Sequence, residues 1–235
     1  MGDRTWLDVP YQDKDEAKSL GAKWDPGAKR WYAPRAGIAE LDRWAAAPAI
    51  PELLPGEDRG FGSGLFVDLV PSSCWFTNVR SCVDQRDWER LRRMVVGRAG
   101  RTCEICLRGE DRAGQRWLEV HERWSYEAPA VQVLRRLICV CTDCHRTTHF
   151  GLAQVKGVAE QALAHLVAVT GWSEAAAEAH VQEAFAVWQR RSRTTWDLDL
   201  GILTGAGVRI APPPAAETRP DAARAALGQA RGTGR

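Results

Sequence analysis

The chemistry in this 235-residue chain concentrates in one stretch, Cys103 to His149, which holds four paired cysteines and three of the five histidines. Cys103 and Cys106 form one Cys-x-x-Cys knuckle, and Cys141 and Cys144 form a second after 34 intervening residues. Thiolates with two residues between them point their sulfurs into one tetrahedron, and four of them close it, leaving no position for water or substrate. The expectation is a structural zinc ion that folds a module rather than catalysing, with buried free thiols as the alternative.

The histidines need a separate account. His145 and His149 stand four apart, so a helix continuing from Cys144 places both imidazoles on one face, a turn apart, where they can share a second divalent cation. His121 is the third candidate ligand. It lies in RWLEVHERW, whose alternating pattern predicts a strand with Leu118, Val120 and Trp124 on one side and Glu119, His121 and Arg123 on the other. The alternative is that these imidazoles bond backbone carbonyls or pack around the zinc knuckle.

A strand histidine, then a Leu-rich segment, then Cys-x-x-Cys-His-x-x-x-His, all closed by an upstream Cys-x-x-Cys, resembles the zinc-stapled branch of the HNH nucleases. The approach WERLRRMVVGRAGRTCEIC is similar to the basic helix leading into the first knuckle of that family. The resemblance implies a ββα-metal fold that grips DNA, with one divalent ion on the scissile phosphate and a base activating water. The family's first motif pairs a metal ligand with a following histidine base, whereas this chain has Val120-His121-Glu122. With His121 as ligand the base position holds Glu122; with His121 as base the ligand position holds Val120. The first register gives a three-histidine site with Glu122 as base, although neighbours on a regular strand point to opposite faces, so Glu122 reaches that site only if the strand turns there. Arg136 stands near the place of the family's orienting asparagine and is the candidate for neutralising developing charge.

Three functions are therefore weighed: a metal-dependent endonuclease using His121, His145 and His149 with Mg, Mn, Ni or Zn; a non-catalytic, zinc-dependent nucleic-acid-binding protein; and a protein–protein adaptor built on the knuckle. The partner expected first is DNA. Formal net charge is only +2, but Arg86, Arg90, Arg92, Arg93, Arg98 and Arg101 crowd one segment, and arginine forks suit phosphate. A solvated face paired with Asp87 and Glu89 is the alternative.

The elements that must position these residues follow from pattern and punctuation. The fold class expected is α+β: a small module over 1–50, a linker over 51–71, a zinc-binding domain over 72–156, a helical extension over 157–210 and a disordered tail over 211–235. In the first module a strand is expected at Trp6–Val9, a short helix at Asp13–Leu20 ended by Gly21, and a second strand at Arg30–Ala33. VPYQDKDEAKSLGAKWD and KRWYAP are similar to a small domain of unknown function that recurs in plasmid-transfer primases and topoisomerases, which implies DNA-processing company. A further helix is expected at Ile38–Ala47 and a short strand at Leu65–Val70. Asp84 is the expected cap of a helix from Gln85 to Ala99, with Trp88, Leu91 and Val95 as its buried stripe. Val158–Val169 and Ser173–Ser192 predict two amphipathic helices, on which His165 and His180 are given surface or packing roles. Cys74, Cys82 and Cys139 are assigned none. The absence of a signal-peptide pattern and of long apolar runs points to a reducing cytoplasm and no membrane span.

Overall fold

The computed structural model describes residues 4–47, 49–75 and 77–211. The fold is mixed α+β, as the sequence leads one to expect, and divides into two compact units, Met1–Ala49 and Ile50–Arg235. The expected disordered tail lies outside the described residues from 212 onward.

In the first unit β1 (Thr5–Leu7), β2 (Lys23–Asp25) and β3 (Arg30–Ala33) build an antiparallel sheet of order β1-β3-β2, with α1 (Lys14–Ser19) connecting β1 to β2. The sheet gains one strand over the expected β-α-β. KWD in β2 shows no apolar alternation, and what holds it is cross-strand pairing, with Trp24 opposite Trp31 and their rings 5.6 Å apart edge to face. Gly21, at φ 99°, turns the chain out of α1. Leu7, Ala17, Ala33, Leu41 and Trp44 form the core, and the buried Trp44 indole donates to Asp13 at 3.0 Å. The helix expected at Ile38–Ala47 is instead a 3-10 segment, Ala39–Trp44. Its end is drawn away from helical pairing by β1: Asp8 N donates to Trp44 O and Ala46 N to Trp6 O.

In the second unit, residues 51–71 are not a linker. Leu54, Leu65 and Val67 are buried in its core, and Glu57 forms a fully enclosed ion pair with Arg98 at 2.6 Å. Glu57 also accepts from Leu137 N, and Arg98 donates to the carbonyls of Glu52 and Leu137. Prolines and glycines here shape a packed, irregular segment. Residues 65–70 form no strand, because their amides go to separate acceptors: Val67 N to His180 Nε2 and Asp68 N to Thr148 O.

The short α2 (Val79–Cys82) leads to α3 (Gln85–Arg98), capped by the Asp84 carboxylate on Asp87 N at 2.7 Å and buried along Trp88, Leu91 and Val95. A long hairpin follows, β4 (Leu118–Glu127) with β5 (Val131–Cys141), and α4 (Thr142–Thr148) starts directly at its end. The hairpin carries one irregularity, where the register passes from Arg123↔Arg136 to Trp124↔Leu134 and leaves Arg135 as the extra residue. α5 (Phe150–Val155), α6 (Ala159–Thr170) and α7 (Glu174–Arg191) complete the packing. Gly171 closes α6 in the left-handed conformation, and the Ser173 hydroxyl caps α7. β6 (Asp197–Asp199) pairs parallel to β5, and α8 (Gly201–Thr204) is the last helix among the described residues. Among the described residues no helix is long and apolar enough to cross a membrane.

Candidate metal centres

The first knuckle sits in a tight turn after α3. Cys103 N donates to Arg108 O, Leu107 N to Cys103 O, and Cys106 N approaches Cys103 Sγ at 3.5 Å. Glu104 ties this turn to β5, because its N donates to Cys139 O while its carboxylate accepts from Cys139 N at 2.7 Å. That pairing brings Cys103 and Cys106 to the end of the hairpin, where Cys141 finishes β5 and Cys144 lies in the first turn of α4. The four sulfurs lie within 4.8 Å of one another. Cys106 Sγ and Cys141 Sγ are 3.6 Å apart, far beyond a disulfide bond of about 2.05 Å. It is close to the edge of about 3.8 Å expected of sulfurs held about 2.3 Å from a central ion. Hydrogen bonds from Cys141 and Cys144 push the pKa of Cys103 below that of a free thiol. Cys139, in contrast, is pushed up to about 12 by burial and stays an inert thiol.

His165 belongs to this centre, although nothing in its sequence context indicates it. Its Nε2 lies 3.2 Å from Cys144 Sγ, and its Nδ1 lies 3.1 Å from Arg108 Nη2. A guanidinium only donates, so Nδ1 must accept and the ring proton sits on Nε2, aimed at the sulfur. His165 is thus a hydrogen-bond donor to the thiolate cluster, delivered by α6.

The second centre is held by β4 and α4. His121, His145 and His149 each offer a ring nitrogen within 4.8 Å of the other two, with centroid separations of 5.3, 4.9 and 4.6 Å. The helical spacing explains the pair: His149 N donates to His145 O, and α4 ends at His149. His121 is 3% exposed, and neither of its ring nitrogens has a hydrogen-bond partner. A buried imidazole left so is costly unless something electron-poor meets its lone pair. Burial, then His149, His145 and Arg123, hold His121 well below the ordinary histidine range; burial first, then His145 and Arg123, lowers His149 to about 3. Both stay neutral, the form that ligates metal. Glu119, two residues before His121 on the same strand face, accepts from His145 Nδ1 at 2.9 Å. That bond leaves Nε2 of His145 as its free lone pair. The donor set therefore fits a divalent ion.

Arg123 continues the His121 face and is fully buried. It donates to Gly64 O at 3.2 Å, stacks 4.2 Å over Phe66 and is lowered by burial to about 10. It is the cation nearest in sequence to the cluster on that face, and the strand alternation carries the signal for it and for Glu119.

Two expected catalytic residues stand elsewhere. β4 stays regular through residues 121–123, so Glu122 projects to the opposite face, where its carboxylate accepts from Val79 N at 3.0 Å at the start of α2. Arg136 is buried and donates to Glu104 at 2.9 Å, bracing the first knuckle. The basic helix is also partly occupied: Arg98 is in the enclosed pair with Glu57, Arg90 meets Asp87 at 2.6 Å and Arg92 stands 4.0 Å from Glu89. His180 accepts from Val67 N and packs edge to face on Trp172, the structural role expected for it.

Comparison with known proteins bears on the first unit most directly. Residues 4–45 match a family described as a domain of unknown function, DUF5710. The chain is 43% identical over 101 residues to a DNA primase TraC of Escherichia coli, covering 40% of this chain and 6% of that protein. A second DNA primase TraC of Escherichia coli is 47% identical over 45 residues, covering 18% of this chain and 4% of its own length. The chain thus spans only a small fraction of these curated relatives. No solved structure matches it significantly.

Proposed function

We propose that the second unit is a zinc-stapled, HNH-like endonuclease domain acting on DNA. The observation that carries this reading is the His121, His145 and His149 cluster on a strand–strand–helix unit, with both ring nitrogens of His121 buried and unpartnered. The cysteine set, Cys103, Cys106, Cys141 and Cys144, offers four sulfurs and no open position, so zinc there is structural. The three imidazoles would hold a second ion, Mg, Mn, Ni or Zn, which when bound supplies Lewis-acid polarisation of a phosphodiester and acidification of water. His121 and His149 remain neutral and oriented. Glu119 holds the proton on His145 Nδ1 and, unlike Glu122, faces the cluster, so it replaces Glu122 as the carboxylate positioned to take a proton. The name of the DNA primases that resemble this chain supports DNA as the partner class.

The second reading is a DNA-binding module without catalysis, favoured by the diversion of Glu122 to Val79 and of Arg136 to Glu104. Incubation of supercoiled plasmid with each ion separates them: ion-dependent nicking is expected of the endonuclease, and DNA binding without nicking under any ion of the module.

A further inference from the structure

We propose that the first unit carries a binding cleft for single-stranded nucleic acid that works by stacking bases on aromatic side chains, independently of the metal centres. The cleft, about 470 Å³, is walled by Tyr11, Trp24 and Trp31 and edged by Lys14, Lys29 and Arg30. Its size lies within the range of sites that take small planar ligands. Tyr11 is 83% exposed and Trp24 is 49% exposed, values that no packing need of a small domain explains. The domain's own core is complete without them, built on Leu7, Leu41 and Trp44.

The charges favour nucleic acid over an apolar peptide. Residues 4–47 carry eight basic and seven acidic side chains, and four of the acids are turned to other duties. Asp13 accepts from Trp44, Glu16 pairs with Arg43, and Asp25 holds the turn amides of Gly27 and Ala28 and pairs with Arg4. Asp8, the acid lining the cleft, is bound by Arg30 at 3.1 Å. Lys14 lies 4.0 Å over the Tyr11 ring and Lys29 sits beside Trp24 on the cleft edge, neither in an ion pair among the described residues. Lys29 also holds a left-handed φ of 49°, where glycine or asparagine would fit at lower cost. Aromatic faces flanked by unpaired ammonium groups are the arrangement that stacks successive bases and tracks their phosphates without reading sequence. A duplex hides its base faces, so the cleft selects single strands.

The test uses the full chain, without added divalent ion, and two fluorescent probes of equal length: an oligothymidylate, and an abasic phosphodiester oligomer that keeps the charges but has no bases. Gel analysis verifies that both probes remain intact. Tighter binding of the oligothymidylate is expected, with that preference falling at least about five-fold in Tyr11→Ala and in Trp24→Ala and returning in Trp24→Tyr. Tyr11 is too exposed for its replacement to unfold the domain. Phosphate binding by the second unit adds equally to both probes, so a failure of the nuclease reading leaves this result unaffected. Equal affinity for the two probes, or a preference untouched in Tyr11→Ala and Trp24→Ala, would overturn the proposal and leave the exposed aromatics to a protein partner.

Discussion

Glu119 accepts the Nδ1–H of His145 at 2.9 Å, and this one bond decides which nitrogen of His145 is left to ligate. It also holds Glu119 below the usual carboxylate range, with His145 as the main cause. Carboxylates behind metal-binding imidazoles fix the tautomer and raise ligand basicity. Glu119→Gln should therefore weaken metal binding at the histidine site by about 10- to 100-fold while leaving the fold and the cysteine-bound ion intact. Metal titration monitored by calorimetry checks this. Unchanged affinity would mean that the bond plays no part in holding the ion.

The buried imidazoles give the metal-free histidine site a pH dependence with a defined sign. Burial depresses His149 to about 3 in the folded protein, against about 6.5 for a free histidine. Below that upper value the unfolded chain binds a proton that the folded chain refuses. Stability is then present above about pH 6.5 and is lost as pH falls toward about 3. Urea melts of wild type and His149→Gln across this range isolate the effect, since the variant lacks the titrating group. The wild type should lose ground to the variant on acidification; a constant difference between them would count against a neutral, buried His149.

Enclosed charge makes the Glu57–Arg98 pair a sensitive point in the second unit. Both side chains are essentially inaccessible, and the pair joins residues 52–57, α3 and β5. Removing one partner strands a buried charge, so Arg98→Met should destabilise the unit by about 3–5 kcal/mol, and Arg98→Met combined with Glu57→Leu by less. Denaturant unfolding of both variants gives the comparison. A single-variant loss under about 1 kcal/mol would show that the pair is reached by water.

A third side chain reports on the cysteine centre. His165 Nε2–H points at Cys144 Sγ, and such donors draw charge from a thiolate and slow its reactions. In zinc-loaded protein His165→Ala should release the ion faster to a chelator, and Cys144 should alkylate faster, by several-fold, with secondary structure preserved. Equal rates would reduce His165 to a packing residue.

How much of this could be read in advance depends on whether the signal is local. α3 shows its cap and its buried stripe in sequence, and the structure places them at Asp84 and at Trp88, Leu91 and Val95. The alternation of RWLEVHERW likewise marks β4, and the spacing of His145 and His149 marks one helical face. Residues 51–71 read as a linker, yet proline and glycine indicate irregular backbone, not exposure, and only the partners Arg98 and Leu137 reveal that Glu57 is buried. β2 exists through its pairing with β3, which a three-residue sequence cannot announce. His165 reaches Cys144 from α6, across 21 residues, through helix packing that no motif records. The direction of Glu122 depends on whether the strand turns there, and the regular pleat through Arg123 carries its carboxylate to Val79 N.

The measurement that bears most directly on the central claim is cleavage of supercoiled plasmid and single-stranded DNA by the purified chain with Mg, Mn, Ni or Zn, beside His121→Ala and His149→Ala. The account predicts ion-dependent cleavage by the wild type. It also predicts loss of cleavage in both variants while circular dichroism and the cysteine-bound metal stay unchanged. Cleavage that persists in both variants, or a wild type that binds DNA and cuts under no ion, would contradict it.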